Sequence, residues 1–317
     1  MAEFVFATCL PGVEPAVKRE VARTRPELRF AYSRPGLVTF KSKQPIDPGE
    51  PSGSVFARVW GRSVGAAIDP AAAQALLAPY GAQRVHAFAR DVATDLAAWQ
   101  SLGPGGPASD GELVADVIVA PDEPAWLGLH RHDRTRLAHP GGTIPVEVPA
   151  ESPSRAYAKL EEAIAWAELP IAAGHVALEI GAAPGGALLA LARRGVIAYG
   201  VDTGELAPAV RELANVHHFA KSVGALRFEE LPPRIDWLLV DVNLAPQVAL
   251  HEVNRLMPRL RDTLRGAVFT LKLNDWTFVD ELPALVERIH KMGFASVRLR
   301  HLPSNRREVC AVALRSE

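Results

Sequence analysis

Along the first part of the chain, short apolar runs alternate with polar stretches at two different periods. Phe4 to Thr8 reads as a strand, which Pro11-Gly12 breaks. Val13, Val17 and Val21 then recur every fourth position, which predicts a helix across 13–25. Leu37–Phe40 and Ser54–Trp60 read as further strands, with a Pro/Gly/Ser-rich loop over 42–53 between them. Arg84–Phe88, a short helix near 93–99 and Glu112–Val119 continue an α+β pattern, and Gly103-Pro104-Gly105-Gly106-Pro107 is a turn. From Pro140 to Pro153 the periodicity fades into a Pro/Gly-rich stretch. That places a boundary between a smaller α+β domain over 1–145 and a second domain over 146–317.

The second half changes rhythm. A helical segment, 156–169, leads into the apolar run Val176–Ile180, a small-residue loop, another helical segment and the run Val196–Asp202. Ile235–Val240 is a buried strand that ends at Asp241, and Ala267–Leu271 another that ends at Lys272. A helix over Phe278–Met292 precedes two strands, Ser296–Leu302 and Glu308–Leu314, joined by Pro303-Ser304-Asn305-Arg306. Helices between fully apolar strands predict an α/β fold of Rossmann type, a mostly parallel sheet covered on both faces with an antiparallel hairpin at its edge.

Composition changes this picture only by exclusion. At 317 residues with 48% hydrophobic content, two domains with real cores are feasible. No apolar run reaches the roughly 18 residues of a membrane span, and no secretory signal pattern opens the chain. Cys9 and Cys310 have no partner spacing for zinc or disulfides, so neither a metal nor an oxidising compartment is expected, and the cytoplasm fits best. The net charge of −1 gives no global attraction to nucleic acid, so any RNA contact must rest on local patches. Lys18–Arg29 reads as a solvated helix face. Arg131, Arg134 and Arg136, with His132, form a basic loop that is harder to dismiss, and Arg298, Arg300, Arg306 and Arg307 form another basic segment.

The densest chemical signal is Glu179-Ile180-Gly181-Ala182-Ala183-Pro184-Gly185-Gly186, followed by a strand ending on Asp202. Glycines let a ligand approach the backbone, and Asp202 is placed to accept hydrogen bonds from both hydroxyls of a ribose. A dinucleotide loop would be G-x-G-x-x-G with amides facing a pyrophosphate. Here Pro184 removes one donor, which favours a nucleoside without phosphates, such as S-adenosylmethionine, over a plain Gly/Pro turn.

Ligands of such sheets bind beyond the carboxyl ends of the strands. Asp241 and Lys272 lie there, and Lys159 on the preceding helix and Glu308 on the last strand can reach the same place. Three have an ordinary alternative: Asp241 a helix cap, Lys159 solvent decoration, Glu308 a surface pair with Arg306 or Arg307. Lys272 after a buried strand is less easily dismissed, since it costs desolvation there unless it has a task. Together they suggest Lys272 as a base whose pKa is depressed by Lys159 and desolvation and opposed by the carboxylates. The chain lacks the Asn/Asp-Pro-Pro-Tyr of amino-group methylation and a well-placed cysteine for carbon-5 chemistry, which leaves oxygen as the best acceptor.

Ser154–Ala163, the Gly181–Gly186 loop, Val240-Asp241, Leu271-Lys272-Leu273 and Arg307-Glu308-Val309 resemble the FtsJ-type ribose 2′-O-methyltransferases over residues 151–317. The resemblance implies a Lys-Asp-Lys-Glu tetrad of Lys159, Asp241, Lys272 and Glu308. It also implies S-adenosylmethionine held by Glu179, Gly181, Ala182, Ala183, Pro184, Gly185, Gly186, Asp202 and Asp241. RNA would be bound through Arg131, Arg134, Arg136, Arg155, Arg306 and Arg307. Echoes at Leu10–Glu14 and Val55–Trp60 imply a ferredoxin-like and THUMP-like RNA-binding N-terminal domain, with a cytidine ribose of 23S rRNA as the target. Methylation of tRNA or cap RNA, and a non-catalytic RNA-binding paralogue, remain the alternatives.

Overall fold

A computed structural model describes residues 3–273 and 275–316. The chain divides into two units between Ile144 and Pro145.

The N-terminal unit runs β1 (Glu3–Thr8), α1 (Glu14–Thr24), β2 (Arg29–Arg34), β3 (Leu37–Ser42), β4 (Trp60–Ala67), α2 (Pro70–Leu77), β5 (Arg84–Ala89), α3 (Ala97–Gln100), β6 (Leu113–Val119) and β7 (Ala125–Arg131). Its strands form one seven-stranded sheet in the order β2-β3-β1-β4-β7-β6-β5. Every pair is antiparallel except β5 with β6. Alternation along the strands feeds two clusters. Val117, Leu127 and Leu129 pack with Ala73 and Leu77 of α2, while Ile118 joins Phe6, Leu37 and Phe88.

The expected strand over Ser54–Trp60 is displaced. Residues before Trp60 form turns, because the buried carboxylate of Glu20 draws them in by accepting the Ser54 hydroxyl at 2.7 Å and the Val55 N–H at 2.9 Å. The strand that does form, β4, is punctuated by Arg62, Ser63 and Gly65, and it carries a register shift between Ser63 and Gly65. Helix α2 escaped the periodicity reading, although it has an N-terminal signal: Asp69 accepts the Ala72 N–H at 2.8 Å, and Pro70 follows.

The C-terminal unit runs α4 (Ala156–Ala167), β8 (Val176–Ile180), α5 (Gly186–Arg193), β9 (Ile197–Asp202), α6 (Pro208–Arg211), β10 (Val216–Ala220), β11 (Trp237–Val240), α7 (Pro246–Leu260), β12 (Gly266–Lys272), α8 (Leu282–Lys291), β13 (Ser296–Arg300) and β14 (Glu308–Leu314). The sheet order is β10-β9-β8-β11-β12-β14-β13. It is parallel from β10 to β12, and β14 runs antiparallel to both β12 and β13. This is the α/β architecture that the apolar runs imply. The expected helix over Phe278–Met292 starts later, since a 3₁₀ segment, Trp276–Glu281, precedes α8. Chain order reverses between β8 and β11, so the crevice of the sheet opens where those strands end, at Gly181 and Asp241.

Candidate active site

The loop after β8 is shaped by a close backbone contact. Gly181 has φ +87°, and a Cβ there would collide with the carbonyl oxygen of Asp241. Only glycine permits both that dihedral and that approach. Gly185, at φ +109°, turns the chain into α5 against the Val210 side chain. Asp202 ends β9 and steadies the loop: its carboxylate accepts the Ala183 N–H at 3.0 Å and the Gly204 N–H at 2.8 Å. The side chains from Ala182 to Gly186 are small and uncharged. With the partly exposed Asp202 carboxylate beside them, they fit the adenosine end of S-adenosylmethionine and offer nothing for a pyrophosphate.

Glu179 lies beneath this loop at 1% exposure, and one of its carboxylate oxygens lacks a hydrogen-bond partner among the described residues. Burial pushes its carboxyl well above the ordinary range, and the charges of Asp241 and Asp202 push the same way. It lines a cavity together with Lys159, Asp241, Asn305 and Cys310.

Lys159, Asp241, Lys272 and Glu308, far apart in the sequence, meet beside this cavity. Lys159 Nζ lies 3.0 Å from Asp241 Oδ2 and 2.6 Å from Glu308 Oε1. Lys272 Nζ lies 2.6 Å from Asp241 Oδ1 and 2.8 Å from Glu308 Oε2. The four side chains form a closed ring of alternating charge, each between 9% and 19% exposed. Register explains part of it, because Lys272 and Glu308 sit side by side on β12 and β14.

The electrostatics of the ring correct one expectation. Burial alone would lower the Lys272 pKa, but the Asp241 charge and the hydrogen bonds to Asp241 and Glu308 outweigh it, and the net shift is upward. Burial opposes ionisation of Asp241 and Glu308, yet the two lysines hold both carboxyls below their ordinary values. The depressed lysine expected from a cationic neighbour is therefore not the resting state, since two carboxylates outweigh one ammonium. Both cysteine thiols are buried and pushed up to about 12, chiefly by desolvation, so neither offers a thiolate nucleophile.

Two residues passed over in the sequence fix the turn that delivers Glu308. Glu162 on α4, 3% exposed, accepts the Ser304 N–H at 2.8 Å and its hydroxyl at 2.7 Å. Asn305 Oδ1 accepts the Leu302 N–H at 2.8 Å. A glutamate at a buried position of α4 was the available sequence signal. The same turn gathers arginines: Arg155 Nη1 donates to the Ser304 carbonyl at 3.1 Å, and Arg155, Arg306 and Arg307 are all exposed. In the N-terminal unit Arg131 and Arg134 are exposed, whereas Arg136 is half-buried and donates to the Trp60 and Glu50 carbonyls at 2.5 and 2.9 Å.

Residues 153–308 match the family described as FtsJ-like methyltransferase. A Chromohalobacter salexigens protein named Ribosomal RNA large subunit methyltransferase M is 33% identical over 187 residues, covering 55% of this chain and 50% of that protein. A protein of the same name from Halorhodospira halophila is 38% identical over 146 residues, covering 44% and 40% respectively. The chain spans about half the length of the curated relatives it matches. The solved structure of the Methanococcus jannaschii fibrillarin pre-rRNA processing protein is 15% identical, covers 63% of this chain and 82% of that one, and has a TM-score of 0.40. Over residues 153–308, its C-terminal unit is thus similar to the FtsJ-like methyltransferase family.

Proposed function

We propose that this protein transfers a methyl group from S-adenosylmethionine to a ribose 2′-hydroxyl of RNA, with a cytidine of 23S rRNA as the target. The observation that carries the reading is the closed Lys159–Asp241–Lys272–Glu308 ring at the carboxyl end of β11 and β12, beside a loop suited to adenosine. S-adenosylmethionine supplies a sulfonium methyl that a nucleophilic oxygen can displace. Gly181 to Gly186, Asp202 and Asp241 would hold it. As the hydroxyl oxygen forms its bond to the methyl carbon, the O–H proton leaves, and Lys272 Nζ is the acceptor in its neutral form. Asp241 and Glu308 fix that nitrogen from two sides, while Lys159 neutralises their second oxygens, so orientation contributes as much as basicity.

Arg155, Arg306 and Arg307 form a basic rim on the turn that precedes Glu308, suited to phosphates flanking the target nucleotide. The order β2-β3-β1-β4 with α1 supports a ferredoxin-like element in the N-terminal unit. Arg131 and Arg134 are its exposed candidates for RNA, and Arg136 would act by holding their loop. The names of the relatives support rRNA over tRNA or cap RNA. The reading is tested by methyl transfer to protein-free 23S rRNA, to tRNA and to capped transcripts. Incorporation into 23S rRNA at one cytidine is expected, and equal or preferential labelling of tRNA would refute the target.

A further inference from the structure

Asp116 interrupts the apolar run Val114–Val119 on β6 and is fully buried, at 0% exposure. A carboxylate in that position costs desolvation unless its oxygens find partners. Oδ2 meets His130 Nδ1 at 2.6 Å, but Oδ1 has no hydrogen-bond partner among the described residues. Imidazoles surround it. His86 sits alongside Asp116 in the β5–β6 register, and His130 pairs with Val114 two residues away, so all three side chains share one face of the sheet. The ring centroids of His86 and His130 are 6.0 Å apart, and those of His130 and His132 are 6.1 Å apart. One ligand atom from each of His86, Asp116 and His130 lies within 4.8 Å of the other two.

The hydrogen bonds leave lone pairs available. His86 Nε2–H donates to the Gly106 carbonyl at 2.9 Å, which leaves its Nδ1 unprotonated. This arrangement, one ring nitrogen anchored to a backbone carbonyl and the other free, is the usual state of a metal-ligating histidine. His130 donates from Nδ1 to Asp116 and keeps Nε2. His132 is 6% exposed, and its Nδ1 has no partner among the described residues. Burial lowers the pKa of both His86 and His132, which favours neutral rings.

We propose that the N-terminal unit holds one divalent metal ion of the zinc class, bound by His86, Asp116 and His130, with His132 as the fourth ligand. Three imidazoles and one carboxylate suit that class of ion. Tetrahedral zinc sets its ligand atoms about 3.4 Å apart, closer than the 4.8 Å that encloses those of His86, Asp116 and His130, and rotation of the His132 ring just past β7 would complete the set. The site is closed by burial and therefore structural. It would tie β5, β6 and β7 to the segment after β7. The absence of cysteine pairs, which argued against a metal in the sequence, does not bear on a histidine–aspartate site. The proposal is independent of the methyl-transfer reading.

The test uses the full chain, purified without a histidine tag. Wild-type protein and the His251→Ala control, an exposed histidine on α7, are expected to retain one equivalent of zinc through gel filtration, whereas His86→Gln and His130→Gln lose it. Cobalt(II) added to chelator-stripped wild-type protein is expected to give the intense visible bands of a tetrahedral site, a result that does not depend on how the variants fold. Substoichiometric zinc, weak six-coordinate cobalt spectra, or equal zinc retention by the histidine variants would each overturn the site.

Discussion

Lys272 receives two carboxylates at 2.6 and 2.8 Å, and this sets how it can act. Its pKa is raised, so the resting nitrogen carries a proton and must lose it before it can accept one. The fraction of neutral amine grows as pH rises toward that raised value. The transfer rate is therefore expected to climb with pH through the alkaline range, with the inflection above that of an ordinary lysine. A flat profile from neutral to alkaline pH in single-turnover assays would exclude Lys272 as the base. Lys272→Ala is expected to lower turnover by about 10²- to 10⁴-fold, the usual contribution of a positioned base. Calorimetry should show S-adenosylmethionine binding nearly unchanged, because the loop from Gly181 to Gly186 does not depend on that side chain.

Among the elements, the turn between β13 and β14 does the most positioning. It carries Arg306 and Arg307, delivers Glu308 to the ring, and is held from below by the buried carboxylate of Glu162. Glu162→Gln keeps the shape but weakens two charge-assisted hydrogen bonds, for a loss of about 1–3 kcal/mol. The expected result is a raised KM for RNA and a modest fall in kcat, while affinity for S-adenosylmethionine is retained. Unchanged kinetics would show that the turn is held by Asn305 and the strands alone. The apolar runs of β8, β11, β12 and β14 were legible because strands buried on both faces have no polar residues to break the pattern. β4 and β10 were not, since Arg62, Ser63 and Gly65 in one and His217 and His218 in the other mask the alternation. Asp241, Lys272 and Glu308 were legible at strand ends, whereas Lys159, on helix α4, gained weight only beside them. The sign of the Lys272 shift was not, because it depends on distances that no spacing encodes.

At the scale of the whole molecule, a net charge of −1 means that attraction to RNA cannot come from the overall field. On the proposed reading it is concentrated at the exposed Arg155, Arg306 and Arg307, on and beside the turn that precedes Glu308. The proposed choice of ribose oxygen rests on what the site lacks as much as on what it holds: burial pushes both thiols up to about 12, and the ring presents an amine between carboxylates. The most direct measurement uses the full chain with methyl-labelled S-adenosylmethionine and 23S rRNA, followed by complete alkaline hydrolysis. A 2′-O-methyl group removes the hydroxyl that attacks the neighbouring phosphate, so the account predicts label in alkali-resistant dinucleotides. Label released in mononucleotides would place the methyl group on a base and contradict it.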